Sequence, residues 1–271
     1  MRALDEYYGI VNLISLNIWG GRAGRDKLIA FMEAHKEDTD IFNLQEVWSG
    51  PYKEMEGMMA GGVELTERTT MHDALQTFSQ ICADHVPYFV PMLMDDYGLL
   101  MLVHKRLTVI AHGEEYVYRE KGYRPDHHGE DLGHHARCVQ YVTMREEEGA
   151  PFTIMNLHGL WNGKGKEDCE ERFEQSRRVC ALAHRLATPY VLAGDLNLLP
   201  DSESISMFED CGMRNLIREY GVTSTRSSHY KKENKFADYA LVSHGIRVED
   251  FKVLADEVSD HLPLALSFAL D

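Results

Sequence analysis

Pro189-Tyr190-Val191-Leu192-Ala193-Gly194-Asp195 is apolar without alternation and ends in an acid. A strand with one wet face alternates apolar and polar residues, so a continuous run suggests a strand buried on both faces. Ser202 to Cys211 follows as a helical pattern, with Ser202 a suitable N-cap. Ahead of the run, Lys166 to Ala187 reads as a long helix carrying Phe173, Val179, Leu182 and Leu186 on one stripe. Before that helix, Ala136 to Arg145 and Phe152 to His158 read as strands joined by the acidic turn Glu146-Glu147-Glu148-Gly149.

The start of the chain reads as strand, helix, strand. Val11 to Asn17 reads as a strand, Trp19-Gly20-Gly21 as a turn, and Asp26 to Lys36 as an amphipathic helix with Leu28, Phe31 and Met32 inward. Asp40 to Val47 is a second strand, with Glu46 at its C-terminal end. The length suits a crossover unit, although the pattern does not say whether the two strands pair. Pro51 to Ala60 and His72 to Asp84 read as helices, with Gly61-Gly62 marking a loop between them. Tyr88 to Met94, Gly98 to His104 and Leu107 to Ala111 are short strands. Ala237 to Ser243, Val248 to Leu254 and Leu262 to Leu270 complete the β content. No repeat or linker interrupts the chain, so one domain over 1–271 is expected.

Glu114 to His135 is the least regular stretch and holds His127, His128, His134 and His135 with Arg119, Lys121 and Arg124. A solvated loop forming a substrate-selecting rim is a better reading than a second metal site. Thr223 to Lys235 is a polar loop whose Lys231, Lys232 and Lys235 either reach a phosphate or are simply solvated.

Composition narrows the function classes. With 271 residues, 44% hydrophobic and 27% charged, the chain is long enough for a large core. It has no apolar run of about 18 residues, and its first residues carry acids rather than an apolar stretch. No stable membrane association and no secretory leader are therefore expected. Five scattered cysteines without a C-x-x-C pair argue against a disulfide framework and a structural zinc site, and suit a cytoplasmic location. The net charge of −16 repels polyphosphate at long range. That weighs against a long nucleic-acid footprint, although a metal ion inverts the local field inside one cleft.

The polar residues are not placed at random. Asn17, Glu46, His158, Asp195, Asn197, Asp238, Asp260 and His261 each fall at the end of an expected strand or on its first turn. Such residues converge when a sheet is assembled. In Val258-Ser259-Asp260-His261-Leu262-Pro263-Leu264 an acid and an imidazole stand side by side. A carboxylate there is able to hold a divalent cation while its neighbour exchanges a proton with a phosphate oxygen. A polar turn before a strand looks the same, so this segment alone decides nothing.

Six segments together resemble the endonuclease/exonuclease/phosphatase (DNase I-like) superfamily of metal-dependent phosphoesterases. They are Leu16-Asn17-Ile18-Trp19, Leu44-Gln45-Glu46-Val47, Asn156-Leu157-His158, Gly194-Asp195-Leu196-Asn197, Phe236-Ala237-Asp238-Tyr239 and Ser259-Asp260-His261, in the family's order. The resemblance implies an α/β (α+β) four-layer sandwich, two mixed β-sheets packed face to face between helical layers, with the site at one rim. It implies Mg²⁺ or Mn²⁺ as cofactor, Glu46 as main ligand, Asp260 as a further carboxylate, and Asn17 placing metal and phosphate. Asp195 would orient or deprotonate the attacking water and Asn197 would bind a phosphate oxygen. His261, held by Asp238, would bind or protonate the phosphoryl group, and His158 would serve the scissile phosphate or leaving oxygen.

Two departures refine the expectation. Some members carry an acid two residues past the first asparagine, where this chain has Trp19. Apurinic-site endonucleases have a tyrosine where His158 stands and an asparagine where this chain has Trp161. The resemblance therefore leans to the histidine-bearing branches, which include DNases, sphingomyelinases and other phosphodiesterases. Trp161 is placed with the substrate-binding residues, since Trp19, Trp48 and Trp161 follow motif residues and suit the wall of a cleft or a stacking platform. The expectation is a monomeric phosphodiesterase or nuclease acting on nucleic acid or nucleotide. A lipid or sugar phosphoesterase is the alternative. A non-catalytic scaffold has no need of so many chemically competent residues.

Overall fold

Strand β1 (Val11–Asn17) and strand β2 (Ile41–Trp48) lie side by side and parallel, joined by helix α1 (Arg25–His35). The opening unit is thus a true crossover whose strands pair directly, Leu13 opposite Ile41 and Asn17 opposite Gln45. The computed structural model describes residues 9–50, 56–125 and 131–271.

In chain order there follow the short strands β3 (Met59–Ala60) and β4 (Val63–Glu64), helix α2 (Ala74–Ile81), and strands β5 (His85–Leu93), β6 (Tyr97–His104) and β7 (Thr108–Tyr118). Next come β8 (Arg137–Arg145), β9 (Phe152–His158), α3 (Glu170–Leu186), β10 (Tyr190–Asp195), α4 (Glu203–Asp210), β11 (Arg214–Asn215) and α5 (Leu216–Glu219). Strands β12 (Asp238–Val242), β13 (Ile246–Val253) and β14 (Leu264–Leu270) close the chain.

These strands form two mixed six-stranded sheets, ordered β13-β14-β1-β2-β6-β5 and β11-β12-β10-β9-β8-β7. They pack face to face through β1 against β10 and β2 against β9. In the second sheet β9 and β10 are also parallel, with α3 as their crossover. Strand β1 shows why a continuous apolar sequence is required. Val11 and Leu13 enter the core between the sheets, whereas Ile14 and Leu16 face the other way onto Leu28, Phe31 and Met32 of α1 and Phe78 of α2. Helices α1 and α2 cover one sheet. Helix α3 covers the other with Val179, Leu182 and Ala183, and α4 packs on α3. Among the described residues no helix is long and apolar enough to cross a membrane.

The interior between the sheets is not wholly apolar. Gln45 Nε2 donates to Asn156 Oδ1 at 2.8 Å, and Asn156 Nδ2 donates to the carbonyl of Leu44 at 3.1 Å and to Gln140 Oε1 at 3.2 Å. Asn43 Nδ2 donates to the carbonyl of Ala193 at 3.0 Å. A partnered buried amide ties the sheets in one register, because a slip would strand its donors in a dry core.

Three expectations are corrected. The helix expected over Pro51 to Ala60 falls partly outside the described residues, and its end is instead strand β3, paired antiparallel with β4. Gly61 and Gly62, at φ +66° and +76°, make the tight hairpin turn that only such residues enter without strain. The strand expected over Leu107 to Ala111 runs on to Tyr118, along the edge of its sheet. Its backbone pairing to β8 carries it through polar residues that show no alternation. Helix α3 starts at Glu170 rather than Lys166, which leaves Lys166 in the preceding loop. At α4, Ser202 accepts from the Ile205 N–H, as an N-cap should.

Candidate active site

Topology brings the strand-end residues to one rim. The C-terminal ends of β1, β2, β9 and β10 point the same way within their parallel pairs. Strands β12 and β14 run antiparallel to β10 and β1, so their N-terminal ends reach the same rim. Asp195 lies in register with His158 on one side and with Asp238 on the other. Asn17 then spans the two sheets. Its Nδ2 donates at 3.0 Å to Glu46 Oε1 and at 3.0 Å to Asp195 Oδ2, while its Oδ1 accepts from the Trp19 N–H at 2.9 Å. Asp195 Oδ1 accepts from the Asn197 N–H at 2.9 Å.

Three residues here sit in the left-handed region, Trp19 at φ 52°, Glu46 at φ 59° and Asn197 at φ 53°. For a residue with a Cβ that conformation costs about 1–2 kcal/mol, and it persists where the surroundings over-determine it. At Glu46 it coincides with an irregularity in the pairing of β2 with β6 between Leu44 and Val47. A bulge there re-aims the side chain out of the alternation of the strand. Glu46 is the least covered of the acids, its side chain 20% exposed. Burial pushes its carboxyl above the usual range, and Asp260 and Asp195 add to this against the Asn17 hydrogen bond and Arg22.

His261 Nδ1 lies 2.8 Å from both oxygens of Asp238, so Nδ1 carries the proton. The other nitrogen, Nε2, meets Arg226 Nη1 and stands 3.5 Å from Asp195 Oδ2. Burial lowers the His261 imidazole to about 4, helped by Arg226. Burial also raises the Asp238 carboxyl to about 6, against Arg226 and Lys166. His158 Nε2 is 3.8 Å from both Glu46 Oε1 and Asp195 Oδ2, and burial with the nearby Arg137 charge holds its ring neutral.

Two donor sets could hold a metal. Asp195, Asp238 and His261 offer atoms within 4.8 Å of one another, but Asp238 already spends both oxygens on the imidazole. Glu46 and Asp260 suit a cation better. Asp260 Oδ2 accepts from Arg226 at 2.8 Å, whereas its Oδ1 is buried with no partner. An orphaned carboxylate oxygen near a second, partly open carboxylate is the hard oxygen environment that Mg²⁺ or Mn²⁺ takes. Asn17 clamps this group from the side.

The site opens into a cleft of about 650 Å³ whose wall includes Trp19, Trp48, Tyr97 and Trp161. The sequence reading missed four of its cations. Arg226 crosses from the loop before β12 and lies 4.3 Å from the Tyr230 ring, in cation–π contact. Lys166 donates to the carbonyl of Phe236, and burial lowers its amine to about 8. Arg22 and Arg137 also line the cleft. The basic Thr223 to Lys235 loop was a signal for Arg226; nothing local marked the other three.

His134 and His135 join no three-ligand cluster among the described residues. His135 is buried against Tyr97, ring centroids 5.5 Å apart, and His134 lies beside Trp161. His127 and His128 lie outside the described residues.

The sequence model of the Endonuclease/Exonuclease/phosphatase family matches residues 14–261. No curated protein matches the chain. Among solved structures, an endonuclease/exonuclease/phosphatase family protein from Bacteroides thetaiotaomicron is similar at 17% identity and TM-score 0.70, covering 97% of this chain and 98% of that one. A mannosyl-6-phosphatase of the same organism is similar at 17% identity and TM-score 0.69, with 96% and 100% covered. The human Nocturnin catalytic domain with bound sulfate has 16% identity and TM-score 0.68, with 97% and 94% covered. At such identities the likeness is one of fold.

Proposed function

We propose, from the premise that this chain belongs to the Endonuclease/Exonuclease/phosphatase family, that it is a divalent-metal-dependent phosphoester hydrolase acting on nucleotide-sized substrates. The carrying observation is the double hydrogen bond from Asn17 to Glu46 and Asp195. It fixes a metal-type carboxylate beside a candidate base that lies 178 residues beyond Asn17 in the chain.

A bound Mg²⁺ or Mn²⁺ at Glu46 and Asp260 would polarise a phosphoryl oxygen and offset the charge gathering in the transition state. Asp195, with one oxygen held by Asn17 and the other by the Asn197 N–H, is oriented to accept a proton from water. Asp238 orients the His261 ring and would stabilise the imidazolium formed if Nε2, 3.5 Å from Asp195, relays the proton taken from water toward the phosphoryl or leaving oxygen. Asn197, His158 and Arg226 supply donors to the phosphate oxygens. The nucleotide-scale reading over a long polymer rests on the cleft of about 650 Å³ and the charge of −16.

The test is a hydrolysis panel of nucleotide mono- and diesters, single- and double-stranded DNA, RNA, a sugar phosphate and a phospholipid. It is run with millimolar Mg²⁺ or Mn²⁺, and with EDTA. Turnover of nucleotide substrates that EDTA abolishes supports the reading. Turnover confined to sugar phosphate or lipid replaces the substrate class, and turnover untouched by EDTA removes the metal.

A further inference from the structure

Two arginines in the cleft hold donors for which the arrangement above has no use. Arg137, the first residue of β8, is 2% exposed. Its Nη2 donates to the carbonyl of Gly133 at 2.6 Å, whereas Nε and Nη1 are buried without a partner. Arg22, which follows the Trp19–Gly21 turn, has Nε and Nη2 buried and unpartnered. Those two nitrogens form one edge of the guanidinium plane, the fork that matches an oxyanion bidentately. Both arginines line the cleft, and both act electrostatically on the Tyr97 phenol.

A buried polar group left unpaired costs about 1–3 kcal/mol, and more when charged. Here that cost is borne twice, and in an apolar setting. Trp48, Leu65, Leu93, Tyr97 and Leu132 belong to one buried cluster and line the same cleft. Low local dielectric strengthens any charge pair formed there. The cleft is also walled on this side. Asp131 accepts from the N–H groups of Gly61 and Gly62 at 2.7 Å each, tying the β3–β4 hairpin to the Gly133 turn. A Cβ at Gly133 would stand 2.7 Å from Gly61 N and 2.9 Å from the Trp161 ring.

We propose that Arg22 and Arg137 form a subsite for a second phosphate group of the substrate, separate from the phosphoester that is cleaved. The substrate is then a compact small molecule bearing two phosphates. Phosphate fits better than carboxylate because free donors on two arginines match a tetrahedral dianion with three oxygens. The inference rests on the hydrolase reading above, and its test separates the two.

The experiment compares adenosine 3′,5′-bisphosphate with adenosine 5′-monophosphate and adenosine 3′-monophosphate on the wild type, Arg22→Met and Arg137→Lys, with Mg²⁺. The lysine variant keeps a buried charge but not the fork, which guards against misfolding at a buried position. Expected is a wild-type preference for the bisphosphate of about tenfold or more in kcat/KM, reduced about tenfold by each substitution, as befits lost hydrogen bonds between charged groups. Equal turnover of bis- and monophosphates by the wild type overturns the subsite. So does a proportional loss on all substrates that leaves the ratio unchanged, because arginines satisfied by water alone would behave that way. Ligand-induced rise in Tm gives a readout without turnover. A larger rise with the bisphosphate, lost in Arg22→Met, sustains the subsite even if no substrate is hydrolysed, in which case the hydrolase reading falls alone.

Discussion

His261 Nδ1 is equidistant, at 2.8 Å, from the two carboxylate oxygens of Asp238. The ring is thereby locked with its other nitrogen facing Asp195 and Asp260. Asp238→Asn keeps the size of the partner and removes the charge that stabilises an imidazolium. A fall in kcat of about 10–100-fold at saturating metal is expected, as for other carboxylates that orient a functional histidine. Steady-state kinetics with circular dichroism as a fold control checks it. A kcat within a factor of about two of wild type would detach the pair from catalysis.

The second prediction concerns the metal. Glu46 feels the charges of Asp260 and Asp195, and Asp260 Oδ1 is buried with no hydrogen-bond partner. Binding to the folded state alone stabilises by about 2.7 kcal/mol at a hundredfold excess over Kd. Mg²⁺ or Mn²⁺ should raise the Tm of the wild type by several degrees, EDTA should reverse this, and Glu46→Gln should respond weakly or not at all. An undiminished metal response in that variant would falsify the assignment of Glu46.

Gly194 is under a different constraint. Its φ is +146°, and a Cβ would lie 2.1 Å from the carbonyl oxygen of Leu157. That atom belongs to the strand that carries His158, so the neighbouring strand cannot yield without moving the site. Gly194→Ala should destabilise by about 3 kcal/mol or more. Urea unfolding monitored by tryptophan fluorescence measures this, and a midpoint unchanged from wild type refutes it.

Away from the site, His85 links stability to pH. Its Nε2 lies 2.8 Å from the carbonyl of Thr39, and its ring packs on Phe42 and His104. Burial lowers its pKa below the usual 6.5; His104 lowers it further, while the Thr39 bond, Asp40 and Asp84 oppose. The unfolded chain then binds more protons than the folded one just below 6.5. The contribution of His85 is complete above pH 6.5 and is lost as pH falls toward the depressed value. In His85→Gln the drop in stability between pH 7.5 and pH 5.5, read from urea midpoints, should be smaller than in wild type. An identical drop in both proteins excludes His85 as its source.

Much of the architecture was readable because it is written in short periods. The alternation of β14, the helical stripe of α3 and the unbroken apolar run of β10 each announce their own environment. The sequence places β3 at the end of a helical stretch and marks no strand at β4, because each is two residues long, too short for any period to emerge. Strand β7 was cut short because it lies at an edge, where water tolerates polar residues on both faces. Its backbone bonds to β8, invisible locally, carry the rest.

By itself the sequence determined a strand, helix, strand unit of crossover length at its start and the presence of polar residues at strand ends, since these follow from spacing along the chain, while the layered sandwich followed from the resemblance of its six segments to a known family. Only the tertiary structure decided that Asn17 bridges Glu46 and Asp195, that a left-handed Glu46 turns its carboxylate into the cleft, and that Arg22 and Arg137 keep free donors there. An arginine at the head of a strand reads as solvated whatever its fate. Whether its donors find a partner depends on which distant strand lies opposite, and that is set by sheet order and register rather than by neighbours in sequence.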